Sequence, residues 1–173
     1  MGSPLSPLLA EIFMDNLEQT LLTHKLNKYI QYYYRYVDDI IICWTGTQRQ
    51  LTQFLYYANS IHNNINFTLE IETDNKLNFL DLTIERLNNR HCFSVFRKPT
   101  FTDTIINRKS HHPWSHKLAA FHSMIHRAVS LPLNKTNFHK EIKQIKKIAI
   151  NNDYETKLID GLLKKKLREH TIR

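Results

Sequence analysis

Glycine is scarce, at 3 of 173 residues, and proline little more frequent at 5. That excludes collagen-like and flexible-linker readings. Cysteine is limited to Cys43 and Cys92, too few for a disulfide scaffold and suited to a reducing compartment. No run approaches the about 20 apolar residues of a membrane span, so no membrane partner is expected. No basic segment leads into an apolar run at the N-terminus, so no secretory signal is expected. The protein is read as intracellular, in nucleus or cytoplasm. Acid is also thin in one half. Residues 97–173 hold 17 basic and 6 acidic residues, a net of +11, whereas residues 1–96 hold 7 and 10, a net of −3. Such asymmetry points to a polyanion lying against the second half. A set of solvated helix faces is the plainer alternative, but the histidines and aromatics of the basic half favour nucleic acid.

What remains is ordinary for a folded chain: 42% hydrophobic and 23% charged, enough for one domain or a domain with a small appendage. Ser3 and Ser6 are good N-caps before Pro4 and Pro7. Leu5, Leu8, Leu9, Ile12, Phe13, Leu17 and Leu21 recur at helical spacing, predicting a helix over 7–23. Tyr29 to Trp44 is aromatic and β-branched on both sides of Asp38-Asp39, which predicts a hairpin with the acids at its tip and helices on one face of its sheet. A second helix is expected over 48–62. Strands are expected at Phe67–Glu72, Leu77–Leu87 and Cys92–Phe96, then helices over 115–130, around Phe138–Ile148 and beyond Asp153. The fold class is α+β: an antiparallel sheet with helices, then a helical region. The composition shift near Phe96 divides the chain into 1–96 and 97–173.

Tyr36-Val37-Asp38-Asp39 is the sharpest motif. Adjacent carboxylates repel unless a cation lies beside them, and hard oxygen ligands of this kind suit Mg²⁺. Alone, an Asp-Asp pair is most often a solvated turn. Its setting narrows the reading. Gly2-Ser3-Pro4-Leu5-Ser6-Pro7 heads a helix about thirty residues before the acids. Leu77-Asn78-Phe79-Leu80-Asp81-Leu82-Thr83-Ile84 follows, then Phe96-Arg97-Lys98-Pro99-Thr100-Phe101-Thr102-Asp103 and Ser110-His111-His112-Pro113. In that order the motifs resemble the reverse transcriptases of Penelope-like retroelements, relatives of telomerase. The likeness covers Gly2 to about Leu131, and His112 to Leu131 resembles the start of an animal helix-turn-helix type segment.

The resemblance implies a partial polymerase palm over 1–96 and a basic thumb or helix-turn-helix-like region over 97–173. The implied activity is RNA-directed DNA synthesis, the two-metal nucleotidyl transfer of a retrotransposon enzyme, with RNA template and DNA primer as partners. Asp38 would be the carboxylate on both Mg²⁺ ions and Asp39 its supporting neighbour. Gly2 and Ser3 would lie under the template and incoming nucleotide. Phe96, Arg97 and Lys98 would belong to the primer-grip hairpin. Arg97, Lys98, Arg108, Lys109 and Lys117 are the expected nucleic-acid contacts nearest the palm, and Lys164, Lys165 and Lys166 are expected to matter less.

Departures from the family pattern bear on activity. Such polymerases carry a further metal-binding aspartate on a palm strand upstream of the Gly-Ser-Pro helix, and this chain starts directly before that helix. Asp15, inside the first helix, and Asp81, in an apolar strand, are not obvious substitutes. Asn66 stands where many relatives have a lysine before Phe67-Thr68. The endonuclease module that often follows in these elements is expected to be missing. The expectation is a truncated reading frame, inactive alone; a cloning scar at Met1-Gly2-Ser3 is the alternative origin of its start. A non-catalytic nucleic-acid-binding module and a degenerate remnant are the rival functional readings. His112 and His116, like His122 and His126, stand four apart, a spacing that can hold Zn²⁺; without the Glu of a zinc hydrolase or a nearby Cys they are read as structural or phosphate-facing. Asp81 is read as pinning its sheet, and Tyr32, Tyr33 and Tyr34 as sheet-face packing.

Overall fold

The computed structural model describes residues 3–88 and 90–171. The chain forms two compact units, one running to Ile71 and the other beginning at Glu72. The fold is α+β, and no helix among the described residues is long and apolar enough to cross a membrane.

The first unit is a hairpin with two helices on one face. Helix α1 spans Ser6–Leu22, with Leu5 at its N-cap and a proline in its first turn. Ser6 is therefore the first helical residue rather than a cap. Ser3 stands just before it, its Oγ accepting from the Leu5 amide at 3.3 Å. A 3₁₀ turn over Lys25–Tyr29 leads into β1, Ile30–Tyr36, which pairs antiparallel with β2, Asp39–Trp44. Helix α2, Gln48–Ile61, opens with a capping box: Thr47 Oγ1 accepts from the Gln50 amide and the Gln50 side chain accepts from the Thr47 amide. That satisfies two otherwise orphaned N–H groups. Gly46 precedes it in a space where a Cβ would lie 2.9 Å from Tyr29, Trp44 and Gln50 atoms, so no larger residue fits without displacing a ring. Leu21 of α1 and Phe54 and Ala58 of α2 share one cluster with Tyr29, Tyr33 and Trp44.

The strand expected over Phe67–Glu72 does not form. Among the described residues no strand is assigned over this segment; Asn59 of α2 holds Phe67 from both sides, accepting from its N–H at 2.6 Å and donating to its carbonyl at 3.0 Å. A side-chain amide here does what a ladder would.

The second unit begins with a meander, β3 Lys76–Phe79, β4 Leu82–Leu87 and β5 Arg90–Val95, in the order β3-β4-β5. The single strand expected over Leu77–Leu87 is thus two strands, with Leu80-Asp81 as the turn between them. Leu80 has φ 52°, and no glycine or asparagine marks the reversal. Asp81 accordingly lies in an exposed turn and not within a strand. Three helices follow: α3 Trp114–Ser130, α4 Lys135–Asn151 and α5 Thr156–Thr171. Asn134 caps α4 by accepting from the Asn137 amide at 2.7 Å. Phe121, Ile125, Ile145, Ile148 and Ile159 are fully buried where the helices meet, each worth about 1.5–3 kcal/mol of transfer free energy. Buried Asn152 clamps the preceding loop, donating to the Asp103 carbonyl and accepting from the Ile105 amide. Tyr154 Oη donates to the Ile106 carbonyl at 2.7 Å.

Candidate functional site

The β1–β2 register pairs Tyr36 with Asp39, leaving Val37 and Asp38 as a two-residue turn. Val37 has φ 55°, a conformation a β-branched residue adopts only when its surroundings impose it. The side chain that meets this turn from behind is Arg35. Its side chain is 8% exposed, and its Nη1 donates to the Val37 carbonyl at 3.1 Å. The same guanidinium meets three acids of α1: Glu18 from Nε at 2.6 Å, Glu11 from Nη2 at 2.8 Å and Asp15 from Nη2 at 3.3 Å. Tyr33 Oη donates to Glu18 at 2.7 Å. Glu11, Asp15 and Glu18 stand at i, i+4 and i+7, one face of a helix, so a single cation bolts that face to the reverse of the acid-bearing turn.

The charges respond to this arrangement. Hydrogen bonds donated to Glu11 and Glu18 hold the Arg35 guanidinium even further above neutrality than usual, against a smaller opposing effect of burial. Burial, then the Glu18 carboxylate it bonds, pushes the Tyr33 phenol up. The Arg35 hydrogen bond holds Glu11 below the ordinary carboxylate range.

On the outward side, Tyr32, Tyr34, Tyr36 and Val37 are exposed. Tyr33 packs inward as expected; Tyr32 and Tyr34 do not pack against the helices. Asp38 and Asp39 are exposed, and among the described residues neither carboxylate meets a donor or a cation. Two adjacent, unneutralised hard-oxygen donors fit a divalent cation such as Mg²⁺, which keeps several waters and needs few protein ligands. Among the described residues no set of three or more His, Cys, Asp or Glu converges to hold a metal.

The remaining expected contacts are dispersed. Gly2 lies outside the described residues. Arg97, just past β5, turns inward: both its Nη atoms donate to buried Glu141 of α4. Lys98 is exposed. Leu80, Asp81, Phe96, Arg97, Lys98 and Arg127 line a cleft of about 290 Å³. Arg127 reaches Asp81 there at 2.9 Å, and the Asp81 carbonyl accepts from the Phe96 amide at 2.8 Å. Arg108 and Lys109 are exposed but each is ion-paired, with Glu155 and Asp153. Lys117 is buried; its amine donates to the Arg108 carbonyl at 2.8 Å and lies over the Trp114 ring. The cationic groups of Arg97 and Lys117 are thus committed within the protein. His112 precedes α3, so it does not share a helix face with His116; His122 and His126 do share one and are exposed.

Two sequence families account for most of the chain. Residues 1–85 match the family described as Reverse transcriptase (RNA-dependent DNA polymerase). Residues 104–164 match the Animal helix-turn-helix domain. No curated protein and no solved structure matches. The reverse transcriptase segment takes in α1, the Asp38-Asp39 hairpin, α2, β3 and part of β4; the helix-turn-helix segment takes in α3, α4 and about half of α5. Arg97 and Lys98 lie between the two. Arg35 escaped the sequence reading, although a signal was present: acids at 11, 15 and 18 share a helix face and want a cation, and Arg35 directly precedes Tyr36.

Proposed function

We propose that this chain is the aspartate-pair portion of the palm of an RNA-directed DNA polymerase, followed by a basic helical bundle that rests on the primer–template duplex. The observation that carries this reading is the Tyr36-Val37-Asp38-Asp39 tip: two unpaired carboxylates on a turn held from behind by Arg35, in a segment that matches reverse transcriptases. The order of the motifs after the tip supports the Penelope-like type. Asp38 and Asp39 would hold Mg²⁺; when bound, it supplies positive charge that lowers the pKa of a primer hydroxyl and neutralises a leaving pyrophosphate. The chain's own part is to present the pair without a competing cation and to fix the turn against α1. Ser3 and the start of α1 would lie under the templating base pair.

Two-metal chemistry needs carboxylates from separate strands, and the described residues converge no third acid on the tip. The 173-residue chain is therefore expected to extend a primer on an RNA template barely or not at all. Rates typical of polymerases from this chain, lost on Asp38→Ala, would overturn that part of the reading. Metal binding is testable without turnover. Mn²⁺ titration should broaden the NMR signals of residues 36–40 before others, and Asp38→Asn with Asp39→Asn should remove the effect. Uniform broadening across the chain would remove the tip as a metal site.

A second reading is a non-catalytic nucleic-acid-binding module, favoured by the helix-turn-helix match over the basic bundle. Both readings expect duplex binding; only the first expects the Mn²⁺ response at the tip.

A further inference from the structure

Helix α4 carries Lys135, Lys140, Lys143, Lys146 and Lys147 and a single acid, Glu141. That acid is 5% exposed and turned inward, where Arg97 holds it through both Nη atoms. The solvent side of α4 therefore displays no carboxylate of its own. Lys146 is matched by Asp160 of α5 at 2.6 Å. Lys140, Lys143 and Lys147 are exposed and, among the described residues, have no acid within ion-pair reach. The nearby Asp103 is engaged by Gln144 at 3.3 Å.

These three lysines stand at i, i+3 and i+7, so they form one stripe along the helix. The opposite side of α4 is apolar: Ile142, Ile145 and Ile148 pack into the bundle core, so the stripe is fixed to a rigid element. It extends over about 10 Å at the helical rise. A nucleic-acid duplex presents about six phosphates over that length. The last helix compares poorly. Lys164, Lys165 and Lys166 share α5 with Asp160 and Glu169, and Lys166 is paired with Glu169 at 3.6 Å.

We infer that Lys140, Lys143 and Lys147 of α4 form the surface on which this protein takes the phosphate backbone of double-stranded nucleic acid. This rests on the nucleic-acid-binding reading above and moves the contact surface from Arg97 and Lys117, whose charges are spent internally, to a helix face whose charges are free. Contact is through phosphates and so is indifferent to base sequence.

The test is a salt titration of the full chain binding a DNA duplex, comparing Lys140→Gln/Lys143→Gln/Lys147→Gln with Lys164→Gln/Lys165→Gln/Lys166→Gln. Both triples remove the same formal charge. The α4 triple should weaken binding on the order of a hundredfold at low salt and flatten the log affinity against log salt slope by about 0.9 per lysine. The α5 triple should stay within a few-fold of the unaltered chain. Equal losses from both triples would reduce the effect to net charge and overturn the inference. An unchanged affinity in the α4 triple would overturn it while leaving the nucleic-acid reading standing. An unaltered chain that shows no salt-dependent duplex binding would sink both. Loss of binding to anionic phospholipid vesicles, with duplex binding intact, would assign the stripe to a membrane surface instead. Unchanged circular dichroism and melting of both triples establishes that folding is not the variable.

Discussion

The two units solve the same problem of burying apolar surface to different degrees. In the second, helices α3, α4 and α5 close on one another, and Phe121, Ile145, Ile148 and Ile159 are sealed completely. In the first, Leu5 at the N-cap of α1 and Leu8, Leu9, Ile12 and Phe13 within that helix stay exposed, as do Tyr32, Tyr34 and Tyr36 on the outer side of the hairpin. Contiguous exposed apolar surface marks a place of interaction rather than a self-sufficient core. The unit carrying the aspartate pair is held in shape by a charge network at Arg35 and a small cluster around Phe54. The basic unit is held by packing. The lesson is that the piece bearing the candidate chemistry depends on a few polar links, while the piece bearing the charge stands on its own core.

The contrast is most easily broken in the second unit. Ile145→Ala removes a fully buried side chain and should cost about 2–5 kcal/mol, read as a fall in the denaturant midpoint of that unit. Leu8→Ala in the first unit, at a side chain 57% exposed, should change stability by no more than about 0.5 kcal/mol. Similar losses from the two would contradict the division into a packed and an open unit.

Arg35→Ala attacks the first unit where it is held. Losing charge-assisted bonds to Glu11 and Glu18, and leaving Glu18 half-buried without its cation, should cost about 1.5–3 kcal/mol. Amide exchange at Val37 and Asp38 should speed up as the turn loosens. Arg35→Lys should recover part of the stability but little of the turn's order, because an ammonium does not span Val37 and the three acids in a planar fork. An unaltered exchange rate in Arg35→Ala would mean that the turn holds itself.

Smaller still are the effects of acid. Glu11 is held below the ordinary carboxylate range chiefly by Arg35. In the second unit Asp153 is held down by its hydrogen bonds from Asn107 and Lys109. A depressed folded-state pKa favours the ionised form in the native protein. Its contribution is present above the unfolded pKa and is lost as pH falls through the folded one. Each unit should thus weaken slightly on acidification. Glu11→Gln should flatten that dependence in the first unit only, and Asp153→Asn in the second only. Thermal melts followed by unit-specific NMR signals at several pH values check this; cross-over between units would show that they do not melt separately.

Much of the architecture was legible because it rests on short-range patterning. Apolar residues at helical spacing marked α1, α2 and α4, and aromatic and β-branched residues around Asp38-Asp39 marked a hairpin with the acids at its tip. The misreadings share a cause. Phe67–Glu72 alternates like a strand, but a strand needs a neighbour, and Asn59 took that place. Leu77–Leu87 reads as one strand because its reversal uses Leu80 at positive φ, a residue with no turn preference. Of the cations, sequence supplied the charge and not its direction: Arg97 and Lys117 look like Lys98 until their partners Glu141 and the Arg108 carbonyl are in place.

Local chemistry in the sequence alone determined that this protein has an aspartate pair on a hairpin, an acid-poor second half and amphipathic helices to carry it. Those properties follow from side-chain period, branching and charge within a few residues. The tertiary structure decided which charges are available. Arg35 became a bolt behind the turn because three acids seventeen to twenty-four residues away came to one helix face, and Glu141 left the surface of α4 because Arg97, from beyond β5, drew it inward. Ion pairing and burial fall off within ångströms in space, and no separation along the chain predicts that distance.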